Sequence, residues 1–215
     1  MSVTSSLRHS LVAGLASLGL AAVASAHQPY LTTSRVTPVT NPDVSQAFYA
    51  ELKGQPDEYR FSLAEPLLLY LNVLVPDIPG AHPDYSAELR LKTTSGDSLV
   101  RVLDGAGSHW TVFHEPFAND NYLQGPELRE RMPPGDYVVR VSSPGNRGKY
   151  VLTIGERESF PPAEIVRVIG VMPALKRYSG KSAWTAYFNY TGLFIGATAV
   201  VAAGIVVLVV SLARR

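Results

Sequence analysis

Between Lys181 and Arg214 the chain carries no charged residue, and Thr191 to Leu212 is almost wholly Ala, Val, Ile, Leu, Gly and Phe. A hydrocarbon core about 30 Å thick is crossed by roughly 20 such residues in a helix. In lipid that helix is forced, because each backbone N–H and C=O must find its partner within the segment. Trp184, Tyr187, Phe188 and Tyr190 crowd one border, and Arg214 and Arg215 close the other. Amphipathic rings and a basic stop are what the two interfaces of a bilayer favour. Residues 184–213 are therefore predicted to form a transmembrane helix with membrane lipid as its partner, and 214–215 a cytoplasmic tail. Gly192 and Gly196 form a small-xxx-small pair near its outer end, the spacing at which membrane helices pack closely. A homodimer through those two glycines is the expectation.

The other apolar end has a different character. Arg8 and His9 precede an apolar core from Leu11 to Val23, and Ala24-Ser25-Ala26 is a small-residue cleavage sequence. That layout is a secretory signal over residues 1–26 rather than a span, since the apolar run is short. Export then places the middle of the chain in the periplasm or outside the cell, pinned to the membrane by its C-terminal helix.

What lies between is enough for one domain with a core. The chain has no cysteine, which in an exported protein excludes a disulfide framework, thiolate metal sites and cysteine nucleophiles. Lys+Arg 19 against Asp+Glu 18 leaves a net charge of +1 and no basic stripe, so nucleic acid is not an expected partner.

The middle reads as short strands. Asp57 to Leu63 alternates, with Tyr59, Phe61 and Leu63 on one face. Leu67 to Val75 is apolar on both parities, as a central strand covered on two sides would be. Ser86 to Lys92 alternates again, Ser98 to Leu103 follows the turn at Ser95-Gly96-Asp97, and Tyr137, Val139, Val141 and Tyr150, Leu152, Ile154 close the series. Short strands spaced by turn residues predict an all-β, antiparallel β-sandwich. Residues 27–44 are expected as an N-terminal extension, 45–156 as the sandwich, and 157–183 as a partly helical stalk whose helix over 162–178 is interrupted by Gly170 and Pro173.

Three stretches carry a resemblance. Asp57-x-Tyr59-x-Phe61-x-Leu63, then Asp84-Tyr85-Ser86-Ala87-Glu88-Leu89-Arg90-Leu91 with Gly96 after it, then Gly135-Asp136-Tyr137 to Val141 and Tyr150 to Ile154 resemble bacterial pre-peptidase C-terminal domains over about residues 45–156. The resemblance implies a jelly-roll-like sandwich of the kind that accompanies secreted enzymes, some relatives binding calcium or matrix polymers. Two departures stand out: no catalytic domain accompanies the module, and residues 105–131 form a long aromatic insertion.

That insertion supplies candidate sites. Glu115, Asp120 and Glu127 could join backbone carbonyls around calcium, which takes 6 to 8 oxygen ligands. Trp110, Phe113, Phe117 and Tyr122 could present rings to a ligand or form the loop's own small core. A second candidate is His27, which signal cleavage would leave as the first residue. Its α-amine and imidazole could chelate copper, as in secreted copper proteins whose processing junction Ala26-His27 resembles, with His82, His109 or His114 as a further ligand. No G-x-S-x-G, H-E-x-x-H or P-loop pattern is present. The expected role is binding or scaffolding as an accessory component of an envelope complex, not catalysis. A periplasmic copper-binding protein and a metal-dependent secreted enzyme are the alternatives.

Overall fold

Alternation decides the inner layer of the molecule. The structure is a computed structural model that describes residues 27–115 and 118–188, with residues 192, 196, 200, 204, 207, 210 and 211. The signal segment 1–26, Phe117 and most of the predicted membrane span lie outside the described residues. Among the described residues no helix is long and apolar enough to cross a membrane.

The strands are β1 (Gln28–Leu31), β2 (Val36–Pro38), β3 (Gln46–Lys53), β4 (Asp57–Leu63), β5 (Leu67–Pro76), β6 (Ser86–Thr93), β7 (Gly96–Leu103), β8 (Thr111–Glu115), β9 (Asp120–Met132), β10 (Gly135–Ser142) and β11 (Arg147–Ile154), followed by helix α1 (Pro162–Tyr178). They make two facing sheets, one ordered β1-β3-β11-β5-β9-β8 and the other β2-β4-β10-β6-β7. Every pairing is antiparallel except at one flank, where β1 enters parallel to β3 and β2 parallel to β4. The predicted N-terminal extension is therefore part of both sheets. Because side chains alternate across a strand, Phe48, Tyr59, Phe61, Leu71, Val73, Leu89, Val139 and Leu152 meet in one closed core.

The predicted insertion is not a loop. It is the β8–β9 hairpin, and β9 runs beside β5 for most of that strand's length. Gly125 and Pro126 concealed it in the sequence. The register shifts between Asn72 and Leu74, opposite those two residues. A bulge is where a strand tolerates a proline and its missing N–H. Buried Asn72 donates to the carbonyls of Gly125 at 3.4 Å and Pro126 at 3.3 Å, which supplies the partners the broken ladder leaves out.

The predicted stalk is a docked layer. Pro162 begins α1, where an absent N–H costs nothing, and Glu164 forms an i,i+3 pair with Arg167 in its first turns. The helix continues through Gly170 and Pro173 and ends at Tyr178, with Gly180 behind it at φ +71°. It crosses the outer face of the six-stranded sheet. Arg167 donates to Pro29 O at 2.7 Å beside β1. At the other end, the Tyr178 hydroxyl donates to Ala50 O at 2.7 Å and Tyr150 O at 2.6 Å. This covering explains why β5 is apolar on both parities: Leu71 and Val73 face the core, and Leu74 faces the layer beneath α1. After α1 the chain folds back in a 3₁₀ turn over Ala183–Tyr187, and Ala186 is fully buried against Val168, Met172 and Leu175.

Candidate functional site

Two of the acids singled out in the insertion come together at the turn between β8 and β9, under the last turn of α1. Glu115 and Asp120 are cross-strand partners there. The Asp120 carboxylate is 2.9 Å from Lys176 Nζ and 2.7 Å from Lys181 Nζ. Lys176 also donates to Ala118 O, and Lys181 donates to Asn119 O at 2.7 Å. Glu115 accepts from the Ala118 backbone N–H at 2.6 Å and so closes the turn. The same acids that suggested calcium are thus engaged by two lysines and a backbone amide. Glu127 lies seven residues further along β9, on the order of 23 Å away at strand rise, where it accepts from the Tyr70 hydroxyl at 3.1 Å. The three acids do not converge at one point.

The aromatic residues of the hairpin serve the interior. Tyr122 is buried in the outer-face cluster, and half-buried Phe113 packs against it. The Tyr122 hydroxyl shares a hydrogen bond with Tyr49, and burial pushes both phenols above their ordinary range. Trp110 lies over Gly125, whose Cα leaves no room for a side chain beneath the ring. Its indole N–H donates to Gly105 O at 2.8 Å. Trp110 thus packs against the main core, and Phe113 and Tyr122 pack in the outer-face cluster.

The histidines are dispersed. His27 precedes β1, its Nδ1 hydrogen-bonded to the Ser45 hydroxyl, and burial lowers its pKa. Nδ1 is the ring nitrogen that would close a chelate with the α-amine, so that geometry requires the Ser45 contact to break. His114 is on β8, with Nδ1 2.7 Å from Asn121 Oδ1. β1 and β8 are the opposite edges of one sheet, five strand spacings or roughly 24 Å apart. His109 is exposed on the β7–β8 connection. His82 borders a hollow of about 170 Å³ with Glu51 and Lys149, whose ammonium donates to Tyr178 O at 2.9 Å. The structure does not bring His27 together with His109 or His114. Among the described residues no group of three or more His, Asp or Glu is placed to hold a metal ion.

A Cβ on Gly192 would overlap the backbone of Tyr187, so this glycine is needed for packing within one chain. Gly196 faces open space.

Sequence reasoning missed Lys176, the residue that closes this cluster. The signal was present: Lys176 ends the run Val168 to Leu175, which has no polar side chain. A lysine at the end of such a run must reach water or find an acid.

No family model matches the chain, and no curated protein matches it. Solved structures similar to it include the following three. One is the pre-peptidase C-terminal domain of a collagenase from Bacillus anthracis, at 11% identity over 60% of this chain and 95% of that one, with a TM-score of 0.31. A second is a periplasmic inhibitor of g-type lysozyme from Salmonella Typhimurium, at 18% identity over 57% and 98%, TM-score 0.28. The third is a surface-associated copper-binding protein of Methylomicrobium album, at 10% identity over 59% and 82%, TM-score 0.21. Likeness this weak assigns no function to the chain.

Proposed function

We propose that this chain is a membrane-anchored, extracytoplasmic β-sandwich that acts as a binding or scaffolding module, an accessory component of an envelope complex. The observation that carries the reading is the way the chain leaves the domain. Helix α1 is fixed to the sheet, and the turn after it presents Trp184 at 84% and Phe188 at 81% exposure at the start of the uncharged run. Large exposed rings beside such a run suit the headgroup level of a bilayer. The helical Val200, Val207 and Val210 are exposed too, as lipid-facing residues would be.

With α1 over one sheet, the outer face of the other is left for a partner. It is charged in both signs: Glu58 pairs with Arg60 and Arg140, and Glu88 with Arg90. Leu99 and Val102 stand half exposed on its edge strand β7. A tether raises the effective concentration of such a face near other membrane components.

The absence of cysteine makes the test direct. Single cysteines replacing Ser95, in the exposed β6–β7 turn, and Arg214 are treated with a membrane-impermeant maleimide in intact spheroplasts. Ser95→Cys labels at once and Arg214→Cys only after lysis; the reverse pattern overturns the topology. Native mass spectrometry of the membrane-extracted chain then tests the scaffolding role. A co-purifying subunit is expected, and release of the bare chain alone overturns it.

A further inference from the structure

Among the described residues, no protein element lies over Val166 and Gly170 on the outward side of α1. Residues 168–175 carry no polar side chain at any position. Val168, Met172 and Leu175 bury against the sheet, whereas Val166, 71% exposed, and Gly170 face away from it. A helix that is apolar all round is normally covered all round.

Pro173 adds a second observation. Having no N–H, it leaves the carbonyl of Ile169 without its helical partner. The Tyr187 hydroxyl donates to that carbonyl at 3.1 Å. The 3₁₀ turn is thereby seated against α1 at the turn between Val166 and Gly170, and its Trp184 and Phe188 extend the same exposed apolar layer. Gly192, helical and tight against the Tyr187 backbone, joins this layer to the beginning of the uncharged segment. The layer's charge is one-sided. No acidic residue follows Glu164 in the chain, while Arg177 is exposed at the end of α1 and Lys181 beyond it is paired with Asp120. Cations bordering an apolar helical face complement anionic headgroups.

We infer that the outward side of α1 and the Ala183–Tyr187 turn lie in the headgroup region of the bilayer, so that the sandwich reclines on the membrane through its six-stranded sheet instead of standing off on a stalk. The inference rests on the anchor reading above and adds a specific lipid-facing surface to it. The occupant is lipid, because the layer's exposed Trp184 and Phe188 belong to the same uncharged run of sequence that is read as the span. The opposite sheet is then held facing away from the membrane.

The experiment uses the full chain in proteoliposomes of phosphatidylethanolamine and phosphatidylglycerol, with some lipid carrying a nitroxide on its acyl chain close to the headgroup. Single-cysteine variants Val166→Cys, Ser95→Cys and Val200→Cys carry a small fluorophore. Lipid nitroxide is expected to quench the Val166→Cys probe several-fold more than the Ser95→Cys probe. Quenching at Val200→Cys with Val166→Cys as unquenched as Ser95→Cys overturns the reclining layer and leaves the anchor standing. An unquenched Val200→Cys overturns the anchor itself. A Val166→Cys probe shielded from aqueous iodide yet untouched by lipid nitroxide means that a second copy or another protein covers the face, which also overturns the inference.

Discussion

Lys176 Nζ and Asp120 Oδ2 are 2.9 Å apart, and each side chain is 2% exposed. They come from the last turn of the helix and the first residue of β9, so one ion pair joins the chain's exit to the hairpin turn. A buried pair of this kind contributes little against an apolar replacement, but removing one partner leaves a desolvated charge and costs about 3–5 kcal/mol. Asp120→Leu alone is expected to lower the unfolding free energy of the detergent-solubilised chain, read from denaturant titration, by that amount, because Lys176 then has no carboxylate. Adding Lys176→Met is expected to restore most of it. A single variant that costs less than about 1 kcal/mol would show the pair to be better solvated than its burial indicates.

The Ile169 carbonyl offers a cycle with a sign that can fail. Tyr187→Phe removes its donor and, for a half-exposed bond, costs about 0.5–1 kcal/mol. In a Pro173→Ala background the residue-173 N–H can close the ordinary helical bond to Ile169, so the same Tyr187→Phe change should cost almost nothing. Equal costs in both backgrounds would mean that the hydroxyl does not substitute for the proline's missing donor.

Legibility followed the range of the contacts. β4 and β6 were readable because one face of each meets the core and the other meets water, and Tyr59, Phe61, Ala87 and Leu89 all lie inside. β5 was readable as a covered strand, but what covers it was not. α1 was readable as a helix over 162–178, but which acid Lys176 meets was not, since Asp120 is 56 residues away in sequence. β1 and β2 are short, and their parallel pairing with β3 and β4 is purely tertiary. In the candidate site, His27, His114, Glu115 and Glu127 were chosen by residue type. Which of them share a place depends on strand order, and that order sets β1 and β8 at opposite edges.

The bulge opposite Val73 gives a packing test. Any Cβ at position 125 enters the space of the Trp110 ring. Gly125→Ala should therefore tilt the indole, lengthen its bond to Gly105 O and destabilise the fold by about 1–3 kcal/mol, the usual range for overpacking. The chain has two tryptophans, so a Trp184→Phe background leaves Trp110 as the only emitter. A red shift of its fluorescence on Gly125→Ala checks the geometry separately from the loss of stability.

The core also holds a titrating group. Asp57 is buried and accepts a hydrogen bond from the Tyr150 hydroxyl at 2.8 Å, and that hydroxyl lies 2.8 Å from the hydroxyl of Tyr59. Burial raises the Asp57 pKa, outweighing the Tyr150 hydrogen bond and the more distant Arg35 and Lys53, which lower it. The folded chain therefore holds this proton more tightly than the unfolded one, whose aspartate titrates near 3.9. Between those two values the folded state binds more protons, so the group's contribution to stability falls as pH rises and is lost once pH passes the folded pKa. Asp57→Asn keeps an acceptor for Tyr150 but cannot titrate. The stability of the wild-type chain relative to Asp57→Asn should then decline from about pH 4 upward and level off above the folded pKa. Tyr150→Phe withdraws the donor that steadies the carboxylate, so in that background the decline should extend to higher pH. A wild-type difference that rises with pH, or a midpoint unmoved by Tyr150→Phe, would show that burial does not govern this carboxyl.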